Sequence, residues 1–68
     1  MTIKYYEFVE KELEYFRREC NFTEDELAYF NYRAKNKSNV QISLLMHISE
    51  AQVSKLAKRV KIKILKVI

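Results

Sequence analysis

Apolar residues recur near the start of the chain at Tyr6, Val9, Leu13, Phe16 and Cys20, with spacings of 3, 4, 3 and 4. Residues three and four apart share one face of a helix, so this stripe predicts an amphipathic helix over 3–20 with Glu and Lys on its outer side. The same spacing suits a short coiled-coil seam, in which Tyr6, Val9, Leu13 and Phe16 meet a second copy in a homodimer. So short a stripe does not stand alone in water, and either its own domain or a partner chain must cover it.

Asn21 tolerates the left-handed backbone that ends a helix. Thr23 and Glu26 then form a capping box, Phe22 and Leu27 a hydrophobic staple, and Glu24, Asp25 and Glu26 fill the first turn, where the helix dipole favours acids. A second helix is expected over 23–35, with Leu27, Phe30 and Ala34 inward, Tyr29 at the edge of that stripe, and Asn36 as its stop. Two more capping boxes follow eleven residues apart, Ser38 with Gln41 and Ser49 with Gln52, and Ile48 with Val53 repeats the staple. They predict a short helix over 39–46 and a second over 50–65. The last segment, KIKILKVI, alternates somewhat like a strand, but no turn residue separates it, so the helix is expected to continue.

A short helix, a tight turn and a longer helix make a helix-turn-helix unit. Ile42, Met46, Ile48, Val53 and Leu56 suit its inward positions, and Ser43 is small where the second helix crosses. The expected fold is all-α: a small four-helix domain with a helix-turn-helix and an extra N-terminal helix, spanning 1–68 as a single domain. The absence of Gly and Pro supports this, since helices then have no strong breakers and left-handed turns fall to residues such as Asn.

The stretch from residue 22 to 64 resembles the LuxR/GerE-type helix-turn-helix family and, more distantly, the fourth region of bacterial sigma factors. Phe22-Thr23 and Glu26-Leu27 echo that family's Leu-Thr helix start. Asn36-Lys37-Ser38-Asn39 with Gln41-Ile42-Ser43 echoes its Gly-x-Ser-Asn and Ile-Ala. Ile48-Ser49 matches the opening of its recognition helix, Gln52-Val53 its Thr-Val, and Val60, Lys63 and Ile64 its closing Ile-x-x-Lys-Leu. The chain departs from the pattern at Asn36, where the family has Gly, at Ser54, where a basic residue is usual, and at Leu56, where His is usual. It also lacks the family's further helix, and residues 3–20 are expected to take that place and its pairing role. The resemblance implies DNA binding.

Charge agrees with that expectation. Residues 1–32 hold four Lys/Arg and eight Asp/Glu, net −4, while residues 33–68 hold nine Lys/Arg and one Glu, net +8, together the +4 of the chain. A cationic surface of that density suits nucleic acid or an anionic membrane. The second helix of a helix-turn-helix enters the major groove of double-stranded DNA. Its outward residues here are Glu50, Ala51, Gln52, Ser54, Lys55, Lys58 and Arg59. Gln pairs bidentately with adenine, Glu accepts from cytosine, Ala meets the thymine methyl, and Lys55 reaches guanine or phosphate. Lys58, Arg59, Lys61 and Lys63 are expected to meet phosphates or remain solvated. Lys37, Ser38, Asn39 and Ser49 sit at helix starts, whose amides suit phosphate, although Ser38 and Ser49 also serve as plain caps.

No catalytic constellation is present. His47 lies in the predicted turn and Cys20 is a lone thiol, which together make no metal or proton-transfer site, so neither enzymatic activity nor a cofactor is expected. The lone cysteine and the lack of a signal-like or membrane-length apolar run lead to a cytoplasmic expectation. The tyrosines Tyr5, Tyr6, Tyr15, Tyr29 and Tyr32 can stack on single-stranded bases, but they share the acidic half and suit packing better. Glu7, Glu10, Glu12 and Glu14 read as a solvated helix face. The leading function is a sequence-specific transcriptional regulator. The alternatives are an adaptor docking on RNA polymerase or another regulator, and, last, a membrane-surface peptide built on KIKILKVI.

Overall fold

The computed structural model describes residues 5–68, with Tyr6 described by its backbone alone. A 3-10 turn at Tyr5–Glu7 leads into α1 (Glu10–Glu19), α2 (Glu24–Ala34), α3 (Asn39–Met46) and α4 (Glu50–Val67). The protein is a small all-α globule of 29 × 23 × 18 Å. Helix α4 is its hub, packing on α2, α3 and α1, while the 3-10 turn packs on α2.

The three capping boxes form in full. Thr23 Oγ1 accepts from the Glu26 amide at 3.3 Å, Ser38 Oγ from Gln41 at 3.2 Å and Ser49 Oγ from Gln52 at 3.2 Å. Each third residue answers by accepting the cap amide, at 3.0, 2.9 and 3.1 Å. Three left-handed residues make the turns: Asn21 at φ 52°, Asn36 at φ 62° and His47 at φ 58°. After α2, the Lys37 amide reaches back to the Tyr32 carbonyl at 3.1 Å and the Asn36 amide to the Arg33 carbonyl at 2.9 Å. Those two bonds are the Schellman closure, with Asn in the position that Gly usually fills. After α3, the Ile48 amide bonds the Ser43 carbonyl at 3.1 Å in the same way, around His47.

The N-terminal segment differs from the single helix expected over 3–20. Residues 3 and 4 lie outside the described residues, and the chain breaks at Val9, which is extended (φ −79°, ψ 163°) and caps α1. Its amide donates to Glu12 Oε1 at 3.0 Å. The break has a packing cause. It lets Tyr5 turn inward edge-on to Tyr29 and Phe30, with centroids 6.2 and 5.8 Å apart, and lets Phe8 meet Phe16 at 5.0 Å. The apolar stripe therefore begins at Leu13. Val9 is exposed, whereas Leu13, Phe16 and Cys20 are buried. Of the proposed dimer seam, Leu13 and Phe16 lie in the chain's own core, and the side chain of Tyr6 falls outside what is described.

Helix α2 is rotated relative to the expected stripe. Tyr29 and Phe30 are buried, as is Glu26, while Leu27 and Ala34 are only half-buried. The reason lies on α4. Lys63 reaches across to Glu26 Oε1 and also donates to the Asn21 carbonyl at 3.1 Å, so a buried carboxylate finds both charge and hydrogen bonds. On α4 itself, Val53, Leu56, Val60 and Ile64 form the buried stripe. That 3-4-4 spacing overrides the strand-like alternation of the last segment and carries the helix to Val67, two residues beyond expectation.

Candidate nucleic-acid interface

The six inward positions of the helix-turn-helix are filled as its packing requires. Ile42, Ser43, Val53 and Leu56 are buried, and Met46 and Ile48 pack half-buried against the core. Ser43 meets its polar obligation internally, donating to the Val40 carbonyl at 2.7 Å. This arrangement leaves Glu50, Ala51, Gln52, Ser54, Lys55, Lys58 and Arg59 all exposed. Ser38, Asn39 and Ser49 are exposed at the starts of α3 and α4, and Lys37 is half-buried. Two contacts brace the approach to α3: Arg33 Nη1 donates to the Lys37 carbonyl at 2.7 Å, and the Tyr29 hydroxyl to Asn39 Oδ1 at 3.4 Å. Arg33 is held in turn over the Tyr5 ring, 5.7 Å from its centroid.

Three features alter the roles read from sequence. First, Gln52 Oε1 accepts the Ser49 amide, so its amide oxygen is engaged at home. A bidentate pairing with adenine needs that oxygen, so such pairing would break half of the α4 cap. Second, Lys63 is bound to Glu26 and Asn21 and is withdrawn from the phosphate-contacting set, while Lys61 is half-buried. Third, Asp25 of α2 joins Gln52, Lys55, Arg59, Ile48 and Leu56 around a groove of about 220 Å³. An acid thus stands beside the basic flank of α4. Helical spacing gave no sign of it, because the approach of α2 to α4 is tertiary.

The outer face of α4 is also not uniformly basic. Ile62 and Leu65 are exposed on it, in line with Ala51, Lys55 and Lys58 at four- and three-residue steps. Among the tyrosines, Tyr5 and Tyr29 are buried and so removed from base stacking. Burial pushes the Tyr5 phenol up to about 12, with Tyr29 adding to the rise and Arg33 opposing it. Burial also raises Tyr29, again opposed by Arg33. Tyr32 is half-buried; Tyr15 is exposed and donates to the Val67 carbonyl at 3.2 Å. Burial raises the Cys20 thiol, with Lys63 pulling the other way. Burial also pushes the Glu26 carboxyl up. The Lys63 ammonium, the Thr23 amide and the Thr23 hydroxyl together outweigh that and hold it below its ordinary value.

Among the described residues, no group of His, Cys, Asp and Glu is placed to hold a metal ion, and no helix is long and apolar enough to cross a membrane. No family model matches the chain, and neither a curated protein nor a solved structure matches it.

Proposed function

We propose that this chain is a sequence-specific double-stranded DNA-binding transcriptional regulator of the LuxR/GerE-like helix-turn-helix kind, with α4 as the helix that enters the major groove. One observation carries the reading. A single helix buries Val53, Leu56, Val60 and Ile64 and turns Ala51, Ser54, Lys55 and Lys58 to solvent, directly after a tight left-handed turn at His47. A rigid helix braced from behind and basic in front is what a base-reading element requires. Glu50, Ala51 and Ser54 are the candidates for base edges, Lys55 for guanine or phosphate, and Lys58 and Arg59 for phosphate. Gln52 contributes mainly its NH₂ group, because its oxygen serves the cap. Ser38 and Asn39 at the start of α3 are the second phosphate position.

Selection of bound sequences from a random duplex library at near-physiological salt tests the reading. The expected outcome is one enriched motif, whose binding is abolished by Lys55→Glu or Lys58→Glu while the circular dichroism of the protein is unchanged. No enrichment by folded protein, or retained binding in both variants, overturns it. The exposed pair Ile62 and Leu65 favours a second reading, an adaptor that docks on RNA polymerase or another regulator. That reading predicts weak, sequence-blind DNA binding and a stable complex with purified polymerase that Ile62→Asp removes.

A further inference from the structure

Beyond Glu50 the chain carries no acidic side chain, while Lys55, Lys58, Arg59, Lys61, Lys63 and Lys66 all lie on α4. Among the described residues, Lys63 is the one cation of this set held in a salt bridge, to Glu26. Asp25 lines a groove with Lys55 and Arg59, and Glu19 a depression with Lys66, but neither acid closes to a salt bridge with them among the described residues. Between these cations stand two aliphatic side chains that the core leaves out, Ile62 and Leu65, exposed by 55 and 44%. An α-helix turns about 100° per residue, which sets the two about 60° apart, on the face away from Val53, Val60 and Ile64. Lys58 lies between them one turn earlier, Arg59 and Lys66 along one flank, and Lys61 along the other.

The other exposed apolar residues specify no occupant. Val40, Leu44 and Leu45 lie on an uncharged helix, with Lys37 as the charge in the adjoining depression. Val9 and Ile68 stand singly at helix caps, and Tyr15 donates its hydroxyl to the Val67 carbonyl. The α4 strip differs because apolar and cationic features are joined there. Free cations call for acids and an aliphatic ridge calls for apolar side chains, so the complementary surface carries both. A duplex supplies the charge but offers Ile62 and Leu65 little beyond thymine methyls. An anionic bilayer supplies both, but such binding scales with the apolar area sunk into it, and here that is two side chains still half covered by the protein. A single helix with aliphatic residues at three- and four-residue steps and Asp or Glu along both edges matches the ridge in width, spacing and charge.

We infer that this strip is the docking site for an acidic amphipathic helix of a partner protein. The inference rests on the docking reading of Ile62 and Leu65 given above and names the chemistry of the partner. It is tested with a phage-displayed library of helical peptides about 20 residues long, randomised on one face and selected against the full chain. The expected winners carry aliphatic residues three and four apart, flanked by Asp or Glu. By fluorescence anisotropy, a synthetic winner binds Ile62→Asp at least about tenfold more weakly than the wild type. It also binds Lys66→Glu more weakly, with a loss that fades as salt rises. Leu44→Asp, on α3, binds it as the wild type does, and circular dichroism shows all three variants folded. Winners without acids, or indifferent to Lys66→Glu, overturn the acidic partner but leave the docking surface standing where Ile62→Asp still weakens binding. Winners indifferent to Ile62→Asp, or no winners at all, overturn the docking reading as well. Vesicles of phosphatidylserine and phosphatidylcholine are the second probe. Wild-type binding to them that Ile62→Asp loses, with no peptide selected, would assign the strip to a lipid surface and overturn the polypeptide partner.

Discussion

Glu26 does three things with one side chain. It closes the capping box of α2, favours the positive end of that helix, and pairs with Lys63 across the core. Its carboxyl is held below the ordinary value of 4.5, so the folded state favours the charged form. The stability this contributes is fully present above about pH 4.5 and is lost as pH falls through the lowered folded value. Glu26→Gln leaves the Lys63 ammonium, 30% exposed, without its counter-charge. The expected loss at pH 7 is about 2–4 kcal/mol by urea unfolding, shrinking toward zero as both proteins are acidified through that window. A pH-independent difference would show that the pair is not the cause. Tyr5 gives the opposite sign at the alkaline end. Its neutral form is favoured, so its contribution holds below pH 10 and fades toward about 12. Tyr5→Phe should remove a phenol that titrates at about 12 from the absorbance titration. Sequence showed Glu26 as a capping acid because that role is settled within three residues. Its role in the core depends on Lys63, thirty-seven positions away, and no local pattern carries that.

At the scale of the element, the helix starts were legible and the first helix was not. Ser38, Ser49 and Thr23 act on amides three residues on, so each cap is a local fact. The break at Val9 is non-local, because it exists to seat Tyr5 against Tyr29 and Phe30 of α2. A 3-4 repeat cannot report that two aromatic rings elsewhere need a partner. The left-handed turns follow from composition, since a chain without Gly must strain another residue at each. His47, at φ 58° and ψ 42°, bears the cost that an L-residue incurs there. His47→Gly should therefore gain up to ~1 kcal/mol, a rise in Tm of a few degrees, and His47→Val should lose more than that. Equal melting of all three forms would show that the turn is set by tertiary packing alone. Asn36→Gly should follow His47→Gly with a smaller gain, because Asn tolerates the left-handed region better than His.

For the whole molecule, charge segregation is the property with the widest consequence. The second half of the sequence carries net +8, but Lys63 is committed to Glu26, and Asp25 stands beside Lys55 and Arg59. If the proposed DNA binding holds, affinity should fall less steeply with salt than a count of basic residues suggests. Each true phosphate contact steepens the log–log slope by about 0.9, so Lys58→Ala should flatten it by that amount. Asp25→Asn, relieving an acid at the basic groove, should tighten binding at low salt and lose its effect near 1 M, where screening is short-ranged. The cationic half was legible from the sequence; which cations remain free required the fold.

Helix α4 joins the core and the outward face in one rigid rod. Each residue of an α-helix advances about 100° around its axis. One residue inserted between Val53 and Val60 would leave the N-terminal turn facing outward and swing the packing stripe by that angle, so the two halves could not both be seated. Substitutions on the outward face change one contact each and leave the stripe intact. Lineages descended from this chain should therefore diversify freely in the letters of α4 and hardly ever in its length. Insertions and deletions should collect at the turns around Asn21 and Asn36, where an added residue rotates nothing.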